Sequence, residues 1–156
     1  MKNAISRIAL LAAIVIACWW SWQILFPSSE QVIRKRLSSL AQTASASNAP
    51  KLAAFFTTDA QIDIDVSSHH LNITGRDEMM AAAAMAARSQ PGRYKVEFGG
   101  QEIEVASVNT SAIVHLTAKV TVSGESDWIP QELKITFQKI DGNWLISRLE
   151  TVKTLL

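Results

Sequence analysis

From Tyr94 onward the sequence runs through four successive segments in which apolar residues recur every second position, and this leaves the chain few choices of fold. Ala112, Val114, Leu116, Ala118, Val120 and Val122 share one parity, and Ile129, Leu133, Ile135 and Phe137 repeat the pattern. Such alternation is the mark of strands with one buried face. Asp141-Gly142-Asn143 supplies a tight hairpin turn, after which "WLISRLETV" returns. Tyr94, Val96 and Phe98 have the opposite parity to Ile103 and Val105. The Gly99-Gly100 pair between them is therefore expected to be a bulge or bend that resets the face. A sheet with one long apolar face needs a second layer.

The segments before Tyr94 can supply that layer. Ser28 and Gln31 have the spacing of a capping box, and Val32, Ile33, Leu37, Leu40, Ala41 and Ala44 follow at helical intervals. A second short helix is expected from Asn48 to Phe56, with Pro50 in its first turn. "AQIDIDV" alternates with Ile62, Ile64 and Val66 on one face and Asp63 and Asp65 on the other, "SSHH" reads as a turn, and "LNIT" returns as a short strand. "GRDEMMAAAAMAARSQ" has acidic residues in its first turn, an alanine-rich body and Pro91-Gly92 behind it, which predicts a third helix. The expected class is α+β: three helices packed on a bent antiparallel sheet.

Ahead of this domain lies an apolar run. Ile8 to Phe26 contains no formal charge over 19 residues, which as a helix would measure about 28 Å against a hydrocarbon core of ~30 Å. Nine of these residues are Ile, Leu, Val or Phe, together contributing roughly −3 to −5 kcal/mol towards insertion. Trp19, Trp20 and Trp22 cluster at the far end like an interfacial belt. The expected division is a basic head (1–7), a transmembrane anchor (8–26) and a domain (28–156), with Pro27 ending the anchor helix. A cleaved signal is disfavoured by the length of the run and its bulky exit. Val15-Ile16-Ala17-Cys18 keeps a lipoprotein reading open, with Cys18 as the lipidated residue, although "WWSWQILF" is a poor sequel to a lipidated cysteine. Lys2 and Arg7 favour a cytoplasmic N-terminus and an extracytoplasmic domain, periplasmic if the source is bacterial. Arg34-Lys35-Arg36 argues the other way.

Charge and composition exclude several classes. Of 15 Lys and Arg, two precede Pro27; the other 13 face all 14 Asp and Glu, a net charge of −1. This is no footprint for nucleic acid. One cysteine allows neither an internal disulfide nor a cysteine-rich zinc site. No metal or other cofactor is expected, because adjacent His69 and His70 in a turn diverge and lack an evident third ligand. Asp63 and Asp65, opposite an apolar face, are expected to face solvent or a second copy. The ligand-pocket candidates are His115, which could donate to a ligand or act as a base, with Tyr94, Trp128 and Trp144. The competing reading is an outer-face or interface position for His115 and a core role for the tryptophans.

The order of elements resembles the NTF2-like, or SnoaL-like, superfamily over about residues 30–153. "FFTTDAQIDI" resembles a second helix running into the first strand, "TGRDEM" the Gly-containing entry to the third helix, and "FQKIDGNWLISRLE" the closing hairpin with a Trp after the turn. The resemblance implies a cone-shaped α+β fold with a pocket between helices and sheet, often paired as a homodimer across the sheet. Isomerase-like members carry a general-base Asp in the first strand; the matching position lies near Ile64, which is apolar. They also use an oxyanion-stabilising Tyr, and the only tyrosine here is Tyr94. That chemistry is not carried over. Fold alone does not give function. The expectation is a membrane-anchored, non-catalytic binding or assembly module for a protein partner or small apolar ligand. The alternative is a small-molecule enzyme of isomerase, cyclase or dehydratase type.

Overall fold

A computed structural model describes residues 12–18, 27–66, 69–89, 94–122 and 128–152. Helix α1 covers 12–18. It is followed by α2 (Ser29–Ser45), α3 (Ala49–Ala53), β1 (Phe56–Val66), β2 (His69–Thr74), α4 (Arg76–Ser89), β3 (Tyr94–Val105), β4 (Ser111–Val122), β5 (Trp128–Ile140) and β6 (Asn143–Thr151). The strands form one sheet in the order β2-β1-β6-β5-β4-β3.

Local signals set most of these boundaries. Ser28 caps α2 through the reciprocal pair that its spacing predicts: the Gln31 amide donates to Ser28 Oγ and the Ser28 amide donates to Gln31 Oε1, each at 3.3 Å. Asn48 caps α3 by accepting from the Lys51 amide. Gly75, in a left-handed conformation, turns the chain from β2 into α4, and Glu78 reaches back to accept from the Thr74 amide. Asp141 and Gly142, both at positive φ, make the two-residue turn between Ile140 and Asn143. Gly99-Gly100 is the expected bulge: one extra residue in β3 separates the Gly99–Thr117 and Glu102–His115 pairs, so Phe98 and Ile103 both point inward.

The core lies between α2 and the concave face of the sheet. Ile33, Leu37 and Leu40 of α2 meet Val114, Ile135, Phe137 and Ile146, all buried. Each such side chain contributes about 1.5–3 kcal/mol of burial. Arg34 and Arg36 are engaged within the domain. Arg34 pairs with Glu30 at 2.8 Å, and Arg36 donates to the Ala54 carbonyl while its guanidinium sits 4.8 Å from the Phe55 ring centroid. Burial holds the Arg36 guanidinium below its usual pKa.

Four expectations need correction. The sheet is mixed, because β1 runs parallel to β6; residue alternation carries no information about the direction of a distant partner. The second helix stops at Ala53, since the Ile146 amide donates to the Phe55 carbonyl and draws Phe56 into register with Ile146. His69 and His70, assigned to a turn, begin β2. The described residues contain four helices, because α1 precedes the three of the domain, of which α2 and α4 contact the sheet and α3 packs against both of them. Only 12–18 of the expected anchor is described, as an exposed helix. No helix among the described residues is long and apolar enough to cross a membrane. The expected belt of Trp19, Trp20 and Trp22 lies outside the described residues. Cys18, the possible lipidation site, is exposed and free of disulfide within α1.

Candidate functional site: an apolar mouth between helices and sheet

Alanine makes the cavity. Helix α4 packs Ala82 against the core and lines the cavity with Ala83 and Ala86, and only Met79 among its described side chains is fully buried. Side chains this short cannot fill the space between α4, α3 and the open end of β3–β4. What remains is a cavity of about 200 Å³, lined by Ala44, Leu52, Ala83, Ala86, Val96 and Val120, with Ser47, Asn48 and Ala49 at its rim. Ser45 anchors one wall by accepting from the Val96 amide at 2.9 Å. None of the described lining residues is titratable, so the described walls place no side-chain acid or base beside the Ser47 hydroxyl.

His115 lies on the other face of the sheet. Val114 and Leu116 point into the core, and His115 stands half-buried on the helix-free side, opposite Glu102 of β3 and Lys134 of β5. A shallow depression there, about 260 Å³, is lined by Gly100, Glu102, His115, Thr117, Glu132 and Val152. Sequence parity had placed His115 opposite Val114 and Leu116; the structure adds that the helices cover their face and leave His115 outside the inner cavity.

The other candidates are scattered. Trp144 is buried beside the β5–β6 turn, with the Lys139 ammonium 5.6 Å from its ring centroid, and lines no part of the cavity. Tyr94 and Trp128 open β3 and β5, where their backbones pair with Val122 and Thr121 at the mouth end of the sheet; their side chains lie outside the described set. Asp63 and Asp65 are on the helix-free face, both engaged by His70. The imidazole Nδ1 donates to Asp65 Oδ1 at 2.7 Å, and Nε2 lies 3.5 Å from Asp63 Oδ1. Among the described residues no group of three or more His, Cys, Asp or Glu is arranged to hold a metal ion.

The helix-free face also carries a compact charge network. Glu150 accepts from Lys134 Nζ at 2.9 Å and Arg148 Nε at 2.7 Å. The Lys134 hydrogen bond, followed by the attraction of both cations, holds the Glu150 carboxyl below the ordinary carboxylate range against the opposing effect of burial. These charges are spent on one another, which is the arrangement of a structural network.

The helices over one concave sheet face and the cavity between them are the arrangement of a known family, and its model, described as a SnoaL-like domain, matches residues 28–150. The chain belongs to the SnoaL-like domain family. No curated protein matches the chain in sequence. Solved structures share the fold at low identity. An NTF2-like protein of unknown function from Pseudomonas putida KT2440 is 14% identical with a TM-score of 0.69, over 81% of this chain and 89% of that one. A domain of unknown function with a cystatin-like fold from Nostoc punctiforme PCC 73102 is 16% identical with a TM-score of 0.70, over 84% and 80%. A putative scytalone dehydratase from Novosphingobium aromaticivorans DSM 12444 is 19% identical with a TM-score of 0.62, over 81% and 84%. The SnoaL-like domain thus has the expected α+β fold, with helices on a curved sheet that is mixed. The cavity-lining residues were missed from sequence because Ala and Val carry no chemical signature; the alanine-rich body of α4 was the available signal.

Proposed function

We propose that this SnoaL-like domain is a non-catalytic binding module whose inner cavity takes a small apolar ligand or an apolar side chain of a partner. The observation that carries this reading is the composition of the mouth, whose described lining is Ala, Val and Leu with two uncharged polar residues at the rim. Apolar pockets with few polar groups are the common form of small-molecule sites. What speaks against the enzymatic alternative is the position of His115, which faces away from the cavity, opposite Lys134. The likeness to a putative scytalone dehydratase keeps that alternative worth testing.

The apolar run of residues 8–26 belongs to the same proposal, as a tether that holds the domain at a membrane on its extracytoplasmic side. So does a homodimer formed across the helix-free face of the sheet. The test of binding is titration with a fluorescent acyl-chain probe. Ala83→Trp, which plugs the mouth, should weaken probe binding by about tenfold, equivalent to ~1.4 kcal/mol; Ala86→Leu, a milder plug, should weaken it less. Unchanged binding in both folded variants would reject the cavity as the site. Turnover of any bound compound that is lost in His115→Gln would favour the enzyme.

A further inference from the structure

We propose that the domain stands on its membrane through the tips of two hairpin turns, with the ligand cavity opening at the far end. This rests on the tether proposed above and adds an orientation and a contact surface to it. The chain enters the domain at Pro27, and one end of the fold gathers around that entry. Ser29 Oγ donates to Asn109 Oδ1 at 2.6 Å, which fixes the start of α2 against the β3–β4 turn. The Lys139 amide donates to the Thr110 carbonyl at 2.8 Å, which brings the β5–β6 turn alongside.

An exposed apolar side chain stands at or beside each of these turns. Val108 is 72% exposed in the β3–β4 turn, and Ile140 is 41% exposed where β5 enters its turn. At Val108 a β-branched residue is a poor choice for a turn, where Gly, Asn, Asp and Ser have physical reasons to occur. Scattered exposed apolar residues are ordinary. Here, however, Val108 in its turn and Ile140, the last residue of β5 before the neighbouring turn, lie at the end where a 19-residue uncharged run joins the fold. A bilayer beneath Pro27 would meet both. The charged groups near this end are few and mixed: Asp141 at the turn, Glu30 paired with Arg34, and Lys139 over Trp144. The contact is therefore with the interfacial apolar layer of a lipid surface and requires no anionic headgroup.

The opposite end holds the cavity. Helix α2 runs from Ser29 at the turns to Ser45 beside the mouth, 17 residues, or about 25 Å. Val96 and Val120 lie at the far ends of β3 and β4 from the Val108 turn. A cavity so placed is loaded from the aqueous side.

The experiment uses the full chain with Cys18→Ser, reconstituted into vesicles of zwitterionic lipid carrying a headgroup-level quencher. A fluorophore is placed in turn on Val108→Cys, Ile140→Cys and, beside the mouth, Met85→Cys, which is 74% exposed in the native chain. Co-flotation with the vesicles tests the tether, and quenching tests the docking. The expected result is co-flotation, with emission at 108 and 140 reduced by about twofold, as for groups in the ~5–10 Å interfacial layer, and no change at 85. Co-flotation without quenching at 108 and 140, or with quenching at 85 instead, overturns the orientation and leaves the tether standing. Failure to float overturns the tether itself.

Discussion

Replacing Gly100 by alanine should destabilise the domain, whereas the same change one residue earlier should not. Gly100 has φ +60, in the left-handed region, while Gly99 does not. Space is not the issue: a Cβ on Gly100 meets only Thr117 Oγ1 at 3.7 Å, and one on Gly99 meets nothing within 4 Å. The two variants also share the gain of about 0.4–1 kcal/mol from a stiffer unfolded chain. Their difference therefore isolates the backbone strain, ~1–2 kcal/mol for an L-residue held left-handed. Net of the shared gain, Gly100→Ala should lose roughly 0.5–1 kcal/mol and Gly99→Ala should be neutral or slightly stabilising. Urea unfolding of both variants measures this, provided the dependence on denaturant is unchanged. Gly100→Asn should recover part of the loss, since Asn tolerates this region. Coincident midpoints for the two alanine variants would refute the assignment of the bulge to Gly100. The bulge is what turns both Phe98 and Ile103 towards the core.

Two further outcomes follow from the capping and charge networks. Ser28→Ala removes the acceptor for the Gln31 amide and should lower unfolding free energy by ~1 kcal/mol, while Ser29→Ala, outside the box, should cost less. Glu150→Gln should cost up to about 1 kcal/mol at neutral pH. Because the folded Glu150 carboxyl is held below its unfolded value, its contribution is complete above the ordinary carboxylate range and fades as pH falls through the lowered folded pKa. Unfolding curves of native and variant proteins should accordingly converge in acid. A gap that persists there would deny the ionic origin.

The parts of this fold that were legible in sequence are those decided by near neighbours. The capping box at Ser28 is a spacing of three residues, the β5–β6 turn is a dipeptide, and the β3 bulge shows as a change of parity around two glycines. Parity also placed His115 opposite Val114 and Leu116. The parallel pairing of β1 with β6 was not legible, because alternation is identical for either direction. Nor was the end of α3, where Phe55 and Phe56 continue a helical spacing until a bond from Ile146, 91 positions away, claims the chain for the sheet. The cavity was hidden for a different reason. It arises from what Ala83 and Ala86 fail to fill, and an absence of volume becomes visible only when α4 is set against Val96 and Val120.

The central claim is that the working surface of this SnoaL-like domain is the apolar mouth and not the helix-free face around His115. Backbone chemical-shift mapping with an acyl-chain probe tests it most directly. The account predicts shifts concentrated at Ala44, Leu52, Ala83, Ala86, Val96 and Val120. Shifts concentrated instead at Glu102, His115, Thr117 and Glu132 would contradict it.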